Sequence, residues 1–228
     1  MSKRIKIASD SLGDSSRVYT LTKAIDLLLA LPAVKFDETI ELSAHLGVDP
    51  RQSDQMIRGT VSLPNGSGKK VVVLAFTNNP QEALEAGADF AGLDDMLRRV
   101  QDGWLGFDVA IATSNTMKNV RSVSRILGPR GLMPNLKSGT IVDDVASGIK
   151  AVKEGRVEFK MDKTANLHIV AGKRSFDPEK IHENVTSIIN AINQARPIAY
   201  KGRYLKSLSI SATMSPGIKI DLKEYTKS

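Results

Sequence analysis

Cysteine is absent from the 228 residues, which excludes disulfides, thiolate catalysis and sulfur-ligated metal sites and is compatible with a reducing compartment. Aromatic residues make up only 5%, too few for recognition of a single strand by successive base stacking. No apolar run approaches the roughly 20 residues that a membrane helix needs, and the N-terminus lacks the apolar core of a signal peptide, so a soluble, cytoplasmic protein without membrane attachment is expected. What is present is positive charge and enough apolar material for real cores. Lys and Arg number 32 against 25 Asp and Glu, a net +7 that suits a polyanionic partner, and 41% of residues are hydrophobic.

The hydrophobic pattern changes period along the chain. Residues 1–16 are polar and basic (Lys3, Arg4, Lys6) and read as a loosely held tail. Leu21, Ala24, Ile25, Leu28 and Leu29 recur at helical spacing, with Thr20 as N-cap and Pro32 as the stop. Ile40, Leu42, Ala44 and Leu46 then alternate with Thr39, Glu41, Ser43 and His45, a strand with one wet face. Ile57, Val61 and Leu63 suggest a second such strand, expected to pair with the first in an antiparallel sheet.

From Val71 to Phe76 the alternation gives way to an unbroken apolar run, the mark of a strand buried on both faces. Helical and strand patterns follow in turn through Gln81–Ala86, Asp89–Ala91, Leu93–Val100, Phe107–Ala112, Val120–Leu127 and Val145–Val152, as in a small doubly wound α/β unit. Within it, Leu127–Asn135 (LGPRGLMPN) holds Gly128, Pro129, Gly131 and Pro134, leaving no room for either period and dictating a constrained loop. Alternation returns at Val157, Phe159 and Met161; with a turn at Asp162–Asn166 and a strand at Leu167–Val170 it suggests a hairpin. A helix capped by Asp177 carries Ile181, Val185, Ile188, Ile189 and Ile192, and alternating strands run through Leu208, Ile210, Ala212 and through Ile218, Ile220.

The flanks thus share a grammar that the middle lacks. The expected architecture is a discontinuous α+β domain of residues 1–66 and 156–228, an antiparallel sheet with helices, into which an α/β domain of residues 67–155 is inserted. Counted this way, the flanks hold 21 basic and 15 acidic residues (+6) and the insert 11 and 10 (+1), so the surplus lies on the discontinuous domain.

Enzyme chemistry finds little support. Gly66-Ser67-Gly68-Lys69-Lys70 fails as a phosphate loop because Leu63 and Lys70 stand at the defining positions and a strand follows. Thr77-Asn78-Asn79-Pro80 occupies the turn where a dinucleotide fold needs glycines. His45, His168 and His182 lack metal-ligand spacing and read as surface or hydrogen-bonded residues. No catalytic residue, cofactor or metal is assigned.

Arg125–Asn135 (RILGPRGLMPN), Lys35–Leu42 (KFDETIEL), Leu46–Lys69, Glu85–Phe90 (EAGADF), Gly155–Thr164 (GRVEFKMDKT) and Ser211–Gly217 (SATMSPG) together resemble, in order, the bacterial large-subunit ribosomal protein L-one family of the lateral stalk. The resemblance runs from about residue 17 to 222 and implies that the insert is Rossmann-like without an enzyme's site. It implies a non-enzymatic constituent of the large subunit, a monomer when free, cytoplasmic and on the ribosome. The end-built domain would bind large-subunit ribosomal RNA and, through the same surface, repress translation of the protein's own operon mRNA, and the protein would assist release of deacylated tRNA from the exit site. Matched position by position, it implies RNA contact at Lys35, Phe36, Thr39, Ser211, Thr213, Met214 and Gly217, with Lys163 and Lys173 on the hairpin as further candidates. Ser215, Leu136 and Ala165 depart from the family pattern, which has Gly, Pro and Gly there; a left-handed backbone at Ser215 would cost roughly 1 kcal/mol. The alternative reading is a small-molecule-binding enzyme built on the α/β insert.

Overall fold

The computed structural model describes residues 3–14, 17–136, 138–197 and 200–225. The chain divides into two compact units, Met1–Gly68 with Val157–Ser228, and Lys69–Arg156.

In the first unit, α1 (Lys3–Leu12), β1 (Val18–Tyr19), α2 (Leu21–Ala30), β2 (Thr39–Leu46) and β3 (Arg58–Ser62) come from the N-terminal segment. The expected loose tail is instead largely α1; residues 1, 2, 15 and 16 lie outside the described ones. Ala8 is buried and Leu12 packs against the core, so a thin apolar stripe, too sparse to register as a period, docks the helix. The Arg4 guanidinium adds bonds to the carbonyls of Pro32 (3.2 Å) and Met214 (2.5 Å).

The C-terminal segment supplies β8 (Arg156–Lys160), β9 (Asn166–Lys173), α8 (Pro178–Gln194), β10 (Leu205–Ala212) and β11 (Ile218–Ile220), numbered after the elements of the second unit. Five strands form one sheet in the order β1-β11-β10-β2-β9, antiparallel except for β1 beside β11. Its inward side chains, among them Ile40, Leu42, Ala44, Leu167, Ile169, Leu208 and Ile210, meet Leu21, Ala24, Ile25 and Leu28 of α2 and Ile181, Val185, Ile188, Ile189 and Ile192 of α8. Thr20 and Asp177 occupy the cap positions, but neither side chain caps; Asp177 pairs with Lys180 at 2.9 Å instead.

Two expected strand pairings are corrected. β3 does not pair with β2, and β8 and β9 are not a hydrogen-bonded hairpin: β3 and β8 form their own two-stranded sheet, while β9 lies beside β2. Gly59 explains the partnership, since a Cβ there would come within 2.8 Å of the Phe159 ring, so the ring seats on bare backbone only at that glycine. The Arg58–Glu158 ion pair at 2.5 Å lies along the same pair of strands.

The turn between β8 and β9 is held by Asp162, whose carboxylate accepts the backbone N–H groups of Thr164 (2.8 Å) and Asn166 (2.7 Å). Ala165 takes a left-handed φ of 62° there, the one departure from the family pattern that does sit where glycine is favoured. The Asn166 N–H, with the Thr164 bonds behind it, holds the Asp162 pKa down to about 2 from the ordinary 3.8. Its contribution to stability is therefore present above pH 3.8 and is lost as the pH falls toward 2. The gap in urea midpoint between the wild type and Asp162→Asn should narrow from pH 4 to pH 2. A gap that stays constant would show that the titrating group lies elsewhere.

The second unit contains β4 (Val73–Phe76), α3 (Pro80–Glu85), β5 (Phe90–Gly92), α4 (Asp94–Gln101), β6 (Val109–Thr113), α5 (Met117–Val120), α6 (Ser124–Leu127), β7 (Ile141–Val142) and α7 (Val145–Lys153). Its four strands are all parallel, in the order β5-β4-β6-β7. Every residue of β4 is buried, and parity assigns the faces. Leu74 and Phe76 join Met96, Leu97, Val100 and Leu127 on one side, and Val73 and Ala75 join Ala83, Ile149 and Val152 on the other. The stretch Val120–Leu127, read as one helix, is broken by a 3-10 turn at Arg121–Val123. The loop Leu127–Asn135 turns through Gly131 at φ 73° and folds Leu132 and Met133 back against the core. Asn135 closes it by donating its N–H to the Thr140 hydroxyl (2.8 Å).

Candidate nucleic-acid interface

The sheet of the first unit has an open face, because period-2 alternation sends Thr39, Glu41, Ser43 and His45 of β2 away from the helices. In register across it, Ser209 stands beside Ser43 and Ser43 beside His168, with a Ser43 Oγ–His168 Nδ1 bond of 3.1 Å; His45 Nδ1 meets Asn166 Oδ1 at 2.8 Å. The serines, histidines and Asn166 form a row of hydrogen-bonding side chains across this face.

One end of this sheet gathers most of the residues singled out in the sequence. Thr39 pairs with Lys173 in register, and Thr213 continues β10 alongside Thr39, donating its N–H to the Thr39 carbonyl (3.0 Å). The Thr213 hydroxyl is not free for a partner: it accepts the Thr39 N–H (3.0 Å) and donates to the Thr39 carbonyl (3.3 Å). Lys173 Nζ is likewise engaged, donating to the Thr39 hydroxyl (2.9 Å). Ser211 lies one row further in, half-buried beside Glu41.

Beyond this stapled row the chain exposes what folding does not need. Phe36 and Met214, large apolar side chains that the core does not take up, are 53% and 47% exposed. Lys35 is exposed, and Gly217 has nothing within 4 Å of where a Cβ would stand and no left-handed φ. Ser215 has no left-handed backbone either, so the anticipated strain is absent; its hydroxyl instead accepts the Ala212 N–H (2.8 Å) and ties the turn.

Lys163 is not part of this cluster. β9 runs from Asn166 opposite His45 to Lys173 opposite Thr39, so the turn bearing Lys163 lies at the other end of the strand, on the order of 20 Å away at about 3.3 Å per residue.

Beneath the cluster lies a pair of residues that the sequence reading passed over. Glu38 is fully buried, and its carboxylate meets the Arg174 guanidinium at 2.5 Å and accepts the Met214 N–H at 3.0 Å. Arg174 also donates to the carbonyls of Leu29 (3.1 Å) and Leu31, satisfying carbonyls left over at the C-terminal end of α2. A signal was available: Glu38 has the same parity as Ile40, Leu42 and Ala44, so a strand that buries those three carries its carboxylate inward too.

A second charge feature was hidden by averaging. The second unit's near-neutral total conceals a stretch, residues 114–142, with five basic residues and no acidic one. Of these, Lys118, Arg121, Arg125 and Arg130 are exposed, and none forms an ion pair among the described residues. No group of three or more His, Asp or Glu among the described residues is placed to hold a metal ion, and no helix there is long and apolar enough to cross a membrane.

The model of the ribosomal protein L1p/L10e family matches residues 28–216. Proteins named large ribosomal subunit protein uL1 from Protochlamydia amoebophila and Kosmotoga olearia are each 50% identical over 225 residues; the first match covers 98% of this chain and 95% of the relative, the second 97% of each. The protein of that name from Chlamydia pneumoniae is 47% identical over 217 residues, 94% of both chains. Identity of this order along almost every element described above leaves one assignment: the chain belongs to the ribosomal protein L1p/L10e family.

Proposed function

We propose that this protein is a structural constituent of the large ribosomal subunit, cytoplasmic and ribosome-bound, that grips large-subunit ribosomal RNA with the exposed sheet end of its first unit. The observation that carries the reading is the convergence of Lys35, Phe36, Met214 and Gly217 around the stapled Thr39–Thr213 row, on a support fixed by the buried Glu38–Arg174 pair. A-form RNA presents phosphates, 2′-hydroxyls and a shallow minor groove, so a rigid edge reads its shape while a lysine neutralises phosphate. The family is a structural one, so the enzyme alternative falls. The second unit serves as a Rossmann-like scaffold: its parallel sheet supports that reading, and Thr77-Asn78-Asn79-Pro80 offers no glycine turn for a dinucleotide. Release of deacylated tRNA from the exit site and repression of the protein's own operon mRNA complete the proposal, the latter through the same RNA-gripping edge.

Filter binding of the full chain to a stalk ribosomal RNA fragment, over a salt series, tests the roles. Lys35→Ala should flatten the slope of log affinity against log salt by about 0.7–0.9, the share of one neutralised phosphate. An unchanged slope would remove Lys35 from the backbone contacts.

A further inference from the structure

We infer that the second unit carries a binding crevice for a vicinal diol, of which the ribose of a single nucleoside is the size that fits. The crevice lies at the carboxyl ends of the parallel strands. From β4 the chain passes to β5 on one side and later to β6 on the other, so the loops after β4 and β6 leave in opposite directions and open a gap between them. The gap is real: about 260 Å³, lined by Thr77, Asn78, Asn79, Thr113, Ser114, Asn115 and Asp143.

The chemistry of the lining selects the ligand. All seven residues are polar, none is a cation, and the single charge is the Asp143 carboxylate. Phosphate has neither a basic side chain nor a glycine turn to hold it, and one carboxylate does not make a metal site. A neutral ligand rich in hydroxyl groups remains. At about 260 Å³ the crevice falls just below the range of drug-sized pockets, enough for one nucleoside and too small for a dinucleotide.

Hydrogen bonds tie its walls together and leave part of its polar lining without a partner among the described residues. The Thr116 hydroxyl donates to the Phe76 carbonyl (2.9 Å) and lies 3.0 Å from the Thr113 hydroxyl, tying the ends of β4 and β6 together. Thr77 is buried, with its hydroxyl accepting the Asn79 N–H (3.1 Å). Asp143 is exposed, and its Oδ1 accepts from Ser114 Oγ (2.8 Å), which leaves Oδ2 without a partner among the described residues. The Asn78 and Asn115 carboxamides are exposed and also without partners there. The remaining Oδ2 of Asp143 can accept one hydroxyl of a diol, as a dinucleotide fold's acidic residue accepts the ribose 2′-hydroxyl, and the exposed Asn78 and Asn115 carboxamides can donate to the neighbouring one.

Calorimetric titration of the full chain with adenosine, 2′-deoxyadenosine and a short RNA ending in a 3′-terminal diol tests the inference. Adenosine should bind at least tenfold more tightly than 2′-deoxyadenosine, and Asp143→Ala should abolish the difference while leaving the thermal midpoint and the ribosomal RNA affinity unchanged. Binding of the RNA terminus but not of adenosine would name the polymer as the source of the diol, and the reverse would name the free nucleoside. The inference is overturned if neither binds, if the deoxy compound binds equally, or if Asn115→Ala and Asp143→Ala both retain parent affinity.

Discussion

Replacing Arg174 with alanine should lower the stability of the first unit by about 3–5 kcal/mol, the usual consequence of stranding one charge of a buried pair. Glu38 is fully buried and the Arg174 side chain is 13% exposed, so the remaining carboxylate cannot recover its hydration without opening the core. The same substitution deprives the Leu29 and Leu31 carbonyls of their donor where α2 ends. For a chain of this size the thermal midpoint should fall by on the order of 10 °C. Ribosomal RNA affinity should fall as well, because Glu38 positions the Met214 N–H beneath the exposed edge. Arg174→Lys keeps the charge but loses the fork that reaches Glu38 and the two carbonyls at once, and should recover only part of the loss. A midpoint within 2 °C of the parent for Arg174→Ala would show that the pair is not what holds this end of the sheet.

Gly217→Val separates binding from folding most cleanly. Nothing lies within 4 Å of the position a Cβ would take, and the backbone there is one that any residue adopts, so stability should stay within about 0.5 kcal/mol of the parent. An isopropyl group on the exposed edge nevertheless keeps RNA at a distance. If two polar contacts are left unmatched at about 1–3 kcal/mol each, affinity falls on the order of a hundredfold or more. Thr213 is less suitable for the same test: its hydroxyl staples the Thr39 backbone, so Thr213→Val would alter folding and binding together. Parent affinity for a folded Gly217→Val protein would move the RNA contact away from this end of the sheet.

Much of the local structure is determined by the sequence alone. Within the unbroken run Val71–Phe76, residues Val73–Phe76 are a strand buried on both faces, the alternation at Ile40–Leu46 is a strand with one open face, and the stripe from Ile181 to Ile192 is the buried side of α8. Each follows from burial geometry acting within a few residues, which is why period suffices. The family, too, was legible from residues standing in order along the chain. Tertiary structure decided the rest. Period tells which face of a strand is buried but not which strand lies beside it, so β3 went to β8 because Gly59 admits the Phe159 ring, a fit between residues a hundred positions apart. The same limit parted Lys163 from Lys173, since strand length and register set their separation. It also hid the Glu38–Arg174 pair: parity points the carboxylate inward, but only the packed fold shows whether a guanidinium waits there to make that burial tolerable.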